Sequence, residues 1–186
     1  MPESKNWFIY RGKRNYLHST SLFDFIVTEY AKKVGTPSDI DFVFIRKSKN
    51  ICRIETKNYG IEGLVASYED NNAQYYMYET ENTITERNLY NEPVIGAHFT
   101  IKDNTTFVRI SDQDNTFIEL AVAAYKELLV SLFPQHKDKY VFSRIQLAFI
   151  PTQPFEILYK RKIAKKFYEG KIIVDGTDVG LIYFGV

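Results

Sequence analysis

Cysteine is almost missing from this 186-residue chain: Cys52 stands alone, which excludes an internal disulfide framework. No Cys/His cluster has the spacing of a zinc site, so the expected compartment is reducing and cytoplasmic. Charge of one sign is equally scarce. Lys and Arg number 24 against 23 Asp and Glu, and a net charge of +1 gives no field that argues for nucleic acid or an anionic membrane surface. A run of about 18 uncharged apolar residues is also lacking, and Met1-Pro2-Glu3-Ser4-Lys5-Asn6 leads into a strand-like segment rather than an apolar leader, so neither secretion nor membrane spanning is expected. No Ser/Gly-rich linker divides the chain, which predicts a single packed body. What the chain does have is apolar and aromatic surface. It is 45% hydrophobic, with 14 Tyr and 14 Phe, enough for a substantial core and suited to sheets.

One helical pattern occurs twice. Ser21-Leu22-Phe23-Asp24-Phe25-Ile26-Val27-Thr28-Glu29-Tyr30 is echoed by Thr116-Phe117-Ile118-Glu119-Leu120-Ala121-Val122-Ala123-Ala124-Tyr125, with Asp24 matching Glu119. A carboxylate within an apolar stripe is costly to bury unless it is paired or used, so these two acids are the first functional candidates.

The order of elements also repeats. Trp7 to Arg11 reads as a strand, followed by a helix capped at Ser19 or Thr20 and stopped near Val34 by Gly35 and Pro37. Ile40 to Lys47 and Ile51 to Lys57 read as strands of a hairpin joined by Ser48-Lys49-Asn50. Gln74 to Tyr78 and Thr83 to Glu86 are strand-like, and Gly60 to Asn72 reads as a loop. In the second half, Thr106 to Ile110 precedes a helix capped by Asp112, Asp114 or Asn115 and ended by Pro134. Strands over Tyr140 to Ile150, Glu156 to Lys165, Lys171 to Val174 and Val179 to Phe184 follow, the last two joined by the tight-turn dipeptide Asp175-Gly176.

Phe117 to Ala123, an apolar run carrying one acid and then small residues, together with Arg144 to Leu147, Pro151 to Phe155, the basic run Tyr159 to Lys166, Glu169 to Gly176 and Val179 to Phe184, resembles the hot-dog fold. The similarity is to β-hydroxyacyl-carrier-protein dehydratases and acyl thioesterases, the dehydratases in particular. It covers roughly residues 106 to 186, and the first half joins it through the internal repeat. The resemblance implies an α+β double hot-dog, an antiparallel sheet wrapped around two long central helices, with units at 1–93 and 94–186.

The resemblance implies further that Glu119 is the catalytic acid and that a His before one helix works with the acid of the other unit. His18 fits that place and gives the leading pair His18 and Glu119. Asn91 to Phe99 is similar to the family's stretch around its His, which makes His98 with Asp24 a second, weaker pair. The backbone near Asn115, Thr116 and Phe117 would polarise the thioester carbonyl, and Arg14 and Tyr16 would contact the substrate or a phosphopantetheine arm. The implied partner is an acyl-carrier protein or acyl-CoA, with no cofactor, and an exposed sheet edge permits a homodimer. His136 reads as a surface loop residue.

Other readings share the same residues. A carboxylate that activates water would make the chain a thioesterase, and two acids held only by hydrogen bonds would leave a non-catalytic acyl-binding protein. A different chemistry is offered by Asp41 with Glu55-Thr56-Lys57, which looks like the Asp and Glu-x-Lys of metal-dependent nucleases if the two strands are adjacent.

Overall fold

The computed structural model of the chain describes residues 6–89, 95–110, 115–136 and 140–186. Its strands are β1 (Tyr10–Arg11), β2 (Ser38–Phe44), β3 (Asn50–Glu55), β4 (Leu64–Glu69), β5 (Gln74–Thr83), β6 (Arg87–Asn88), β7 (Phe99–Lys102), β8 (Thr105–Val108), β9 (Val141–Phe149), β10 (Phe155–Ile163), β11 (Phe167–Val174) and β12 (Thr177–Gly185). Ten of them form one sheet in the order β3-β5-β4-β2-β9-β12-β11-β10-β8-β7. Every pairing in it is antiparallel. β2 and β9 pair as its fourth and fifth strands, and β1 pairs separately with β6.

The expected pair of long helices is not present among the described residues. The long helix is Phe117–Leu132, 16 residues, whereas the N-terminal helix is α-helical only over Ser19–Ile26, followed by a π segment at Val27–Ala31 and a last turn at Lys32–Val34. The long helix buries Ile118, Leu120, Ala121, Ala124, Tyr125, Leu128 and Leu129 completely. Small residues at 121 and 124 let it lie close to its neighbours. The N-terminal helix lays Phe23 edge-on against Phe42 of β2, ring centres 5.4 Å apart.

Gly170 of β11 shows how closely helix and sheet approach. A Cβ there would lie 2.6 Å from the Tyr125 ring. Gly170→Ala is therefore expected to cost about 1–3 kcal/mol in urea unfolding, by overpacking a core that has no slack.

Two strand assignments made from the sequence are corrected by the pairing. β2 and β3 are not a hairpin: β4 and β5 lie between them. The connecting Ser48-Lys49-Asn50 is drawn to β5, where one Glu79 oxygen accepts from Ser48 Oγ at 2.8 Å and from the Lys49 and Asn50 amides at 2.9 and 3.3 Å. The stretch read as a loop contains β4, with Val65, Ala66 and Tyr68 fully buried. Its end is marked by Asp70, which turns the chain by accepting from the Asn72 and Ala73 amides at 2.7 and 2.9 Å. β7 is a further strand that the sequence pattern did not reveal, and the Trp7 to Arg11 strand shortens to its last two residues. The Asp175-Gly176 turn is as expected, with φ of 48° and 75° as a tight β11–β12 hairpin requires. The caps proposed at Asp112 and Asp114, the start of the Asn91 to Phe99 stretch and the unit boundary at 93/94 lie outside the described residues.

Candidate functional site

The two repeated acids converge on one residue, Thr116. Thr116 is the N-cap of the long helix and, with Glu119, forms a reciprocal capping box: the Glu119 amide donates to Thr116 Oγ1 at 3.4 Å, and the Thr116 amide donates to Glu119 Oε2 at 3.2 Å. The Thr116 hydroxyl donates in turn to Asp24 Oδ2 at 2.8 Å. Asn115 is thus not the cap. The signature Thr-x-x-Glu was present in the sequence at 116–119 and identifies the cap without the structure.

The repeat is offset in its helices. Thr116 precedes its helix, whereas its counterpart Ser21 is the third residue of the N-terminal helix, which starts one turn earlier with His18 as N-cap. That extra turn carries His18 towards the long helix, and it puts Asp24 deep enough in its own helix to reach across to Thr116. Asp24 is 9% exposed and Glu119 7%. Thr116→Val removes the cap acceptor and the donor to Asp24 together, and is expected to destabilise the protein by about 2–3 kcal/mol, with Thr116→Ser close to wild type in thermal unfolding.

Glu119 has a third contact that the sequence did not reveal. Its Oε1 is ion-paired with Arg11, a residue 108 positions away. The β1–β6 pairing fixes Arg11, and Arg87 of β6 clamps the following loop, donating to the Gly12 and Arg14 carbonyls at 2.6 and 2.9 Å and to Asn15 Oδ1 at 2.7 Å. That loop delivers Arg14, whose Nη1 lies 2.6 Å from His18 Nε2. A guanidinium only donates, so Nε2 is the acceptor and the ring proton belongs on Nδ1. Burial, then the charges of Arg14, Arg11 and Lys126, push the His18 pKa from the usual 6.5 down to about 3. At neutral pH His18 is an uncharged imidazole.

His18 and Glu119 line one cavity of about 710 Å³. Arg14 and Tyr16 line it too, as do Lys47 and Lys126, with Phe44, Ile95, Phe99, Val122 and Phe142 among its apolar surfaces. Lys47 sits 4.4 Å over the Tyr16 ring. The other candidates fall elsewhere. Asn115, Thr116, Phe117, Asp24 and His98 are not among the residues lining this cavity. Phe117 is packed on Phe155, ring centres 5.0 Å apart. The backbone of His98 continues the sheet edge, its carbonyl accepting from Arg109 N at 2.8 Å. His136 lies in a short 3-10 turn, its ring 6.3 Å from that of Tyr140.

The nuclease arrangement does not form. Asp41 on β2 and Glu55 on β3 are separated by β4 and β5 rather than adjacent. Asp41 is held by Arg144 of β9 through two contacts of 2.8 and 2.5 Å, Glu55 pairs with Arg53 at 3.3 Å, and Lys57 lies over Tyr59 at 5.8 Å.

Set beside solved structures, the chain superposes on the dehydratase domain of RzxB from Pseudomonas fluorescens with a TM-score of 0.51 and 9% identity, covering 92% of this chain and 86% of that one. A protein assigned as thioesterase II from Thermobifida fusca gives a TM-score of 0.51 at 8% identity, covering 94% and 88%. The fold is the hot-dog fold. At these identities the likeness is one of fold. No family model matches the sequence, and no curated protein matches it.

Proposed function

We propose that this chain acts on an acyl thioester, carried by coenzyme A or a carrier protein, as a β-hydroxyacyl dehydratase with His18 and Glu119 as its working pair. The observation that carries the reading is that one cavity is lined by a buried carboxylate in the first turn of the long helix and a neutral imidazole at the N-cap of the N-terminal helix. In this reading the body is a double hot-dog, with units 1–93 and 94–186 meeting at β2 and β9.

The reaction follows from the two groups. His18, once Arg14 yields Nε2 to the substrate, takes the proton from the carbon beside the thioester carbonyl. The electrons form the new double bond, the β-carbon loses its hydroxyl, and the imidazolium returns its proton so that water departs. Glu119, steadied by Arg11 and the Thr116 amide, accepts a hydrogen bond from that hydroxyl and aims it. Arg14, Lys47 and Lys126 supply positive charge for the polar carrier arm.

One observation favours a second reading. Every contact described above to the Glu119 carboxylate comes from a donor, which suits a carboxylate that accepts a hydrogen bond from a hydrolytic water and aims it, a role a thioesterase can use. The two reactions give different products. With β-hydroxyacyl pantetheine thioesters the dehydratase forms the conjugated enoyl thioester and releases no thiol. Thiol release from a saturated acyl thioester would instead establish hydrolysis, and neither product from either substrate would reject both enzymatic readings.

A further inference from the structure

The reaction cavity has a wall without backbone hydrogen bonds. β2 and β9 are paired from Ser38↔Phe149 to Val43↔Arg144, and there their pairing ends. Beyond that point β2 stays with β4, through Phe44↔Ala66 and the Ile45 amide to the Val65 carbonyl at 2.9 Å, while β9 stays with β12 through Phe142↔Phe184 and Val141↔Gly185. The two strands therefore diverge, and side chains alone fill the fork.

A second concavity, a groove of about 670 Å³, lies against the same fork. Phe44, Lys47, Val141 and Phe142 line both the groove and the cavity of His18 and Glu119. Strand alternation puts Phe42 and Phe44 towards the helices and Val43 and Ile45 towards the groove, so the two concavities stand on opposite faces of the sheet. Ile45, Val141 and Phe167 of the groove are 40%, 42% and 42% exposed, a concentration of apolar surface facing water. The nearby guanidinium groups are already matched: Arg46 pairs with Glu79 at 2.8 Å and Arg144 with Asp41. An uncharged hydrocarbon fits this groove better than an anionic group.

From this geometry we propose that the fork between β2 and β9 is a second mouth of the reaction cavity, through which the tail of a long acyl chain passes to lie in the outer groove. The inference rests on the acyl-thioester reading and narrows it to long-chain substrates. Phe44 and Phe142 are the gate. Phe142 stacks on Phe42 with ring centres 6.2 Å apart, and its rotation, unlike the parting of paired strands, breaks no hydrogen bond of the sheet.

Binding of unreactive S-alkyl thioethers of pantetheine, measured by calorimetry, tests the route without depending on turnover. The sixteen-carbon thioether is expected to bind at least about tenfold tighter than the eight-carbon one, because its outer methylenes leave water only in the groove. Ile45→Ser and Phe167→Ser, both at exposed positions, should remove most of that preference while the eight-carbon affinity, which also reports folding, stays within about twofold. Equal affinity for the two lengths in the wild type, or full preference retained in both serine variants, overturns the second mouth. Absence of binding by either thioether overturns the thioester reading with it. A groove-dependent length preference without dehydration or hydrolysis supports the route and rejects only the reaction.

Discussion

Substituting His18 by glutamine is expected to remove a stability loss that the wild type suffers on mild acidification. In the folded chain His18 stays neutral down to about pH 3, whereas in the unfolded chain it takes up a proton near its ordinary 6.5. Between those values the unfolded state binds more protons, so the stabilisation is complete above about pH 6.5 and declines as pH falls towards 3. Glu79 and Glu169, whose carboxyls are held below the ordinary 4.5 by hydrogen bonds and cations that outweigh burial, add their own losses only in the more acidic part of this range. The interval from pH 6.5 to 5 therefore isolates the histidine. Urea unfolding at both ends should show the wild type losing about 2 kcal/mol and His18→Gln losing little, since each unit of pH is worth about 1.4 kcal/mol per proton. Parallel losses in the two proteins would mean that His18 is not held neutral.

Arg11→Ala should be the most destabilising single change at the site. Arg11 is 16% and Glu119 7% exposed, so alanine leaves a carboxylate buried without its cation. Removing one partner of a buried pair costs about 3–5 kcal/mol, far above the value of a surface ion pair. Glu119→Gln in the Arg11→Ala background should recover a large part of the loss, because the buried charge goes while the amide oxygen can still accept from Thr116 N. A cost below about 1 kcal/mol for Arg11→Ala would show the pair to be incidental. The same variant takes a positive charge from beside His18 and so raises its folded pKa: the histidine's share of the acid loss should still begin near pH 6.5 but be smaller and level off at a higher pH.

The antiparallel, β-rich character and the long helix were legible because they depend on local pattern: apolar spacing over 117–132, a stop at Pro134, and the Asp175-Gly176 turn. Strand neighbours were not, because sequential strands usually pair and β2 and β3 do not. The 48–50 loop is held instead by Glu79 of β5, 30 residues beyond Lys49 in the chain. The short first helix was overestimated since its apolar periodicity continues through a π segment that no residue pattern announced. At the site, repetition and the pre-helix position brought out His18 and Glu119. Arg11 stayed hidden, since an arginine ending a two-residue strand has no local mark of its partner 108 positions on. Thr116 is readable as a capping box through Glu119 three residues on, although Asp and Asn, equally good cap residues, stand just before it. Asp24, equal to Glu119 in the repeat, serves the cap of the other helix rather than lining the cavity.

Steady-state kinetics on a β-hydroxyacyl pantetheine thioester, followed by enoyl absorbance in wild type, His18→Gln, Glu119→Gln and the double variant, tests the central claim most directly. Two groups acting together on one elimination, His18 moving the proton and Glu119 aiming the hydroxyl, should be strongly non-additive: each single substitution lowers kcat by about 10²-fold or more, and the double variant falls little further. Undiminished turnover in either single variant, with the chain still folded, would contradict the assignment of His18 and Glu119 as the working pair.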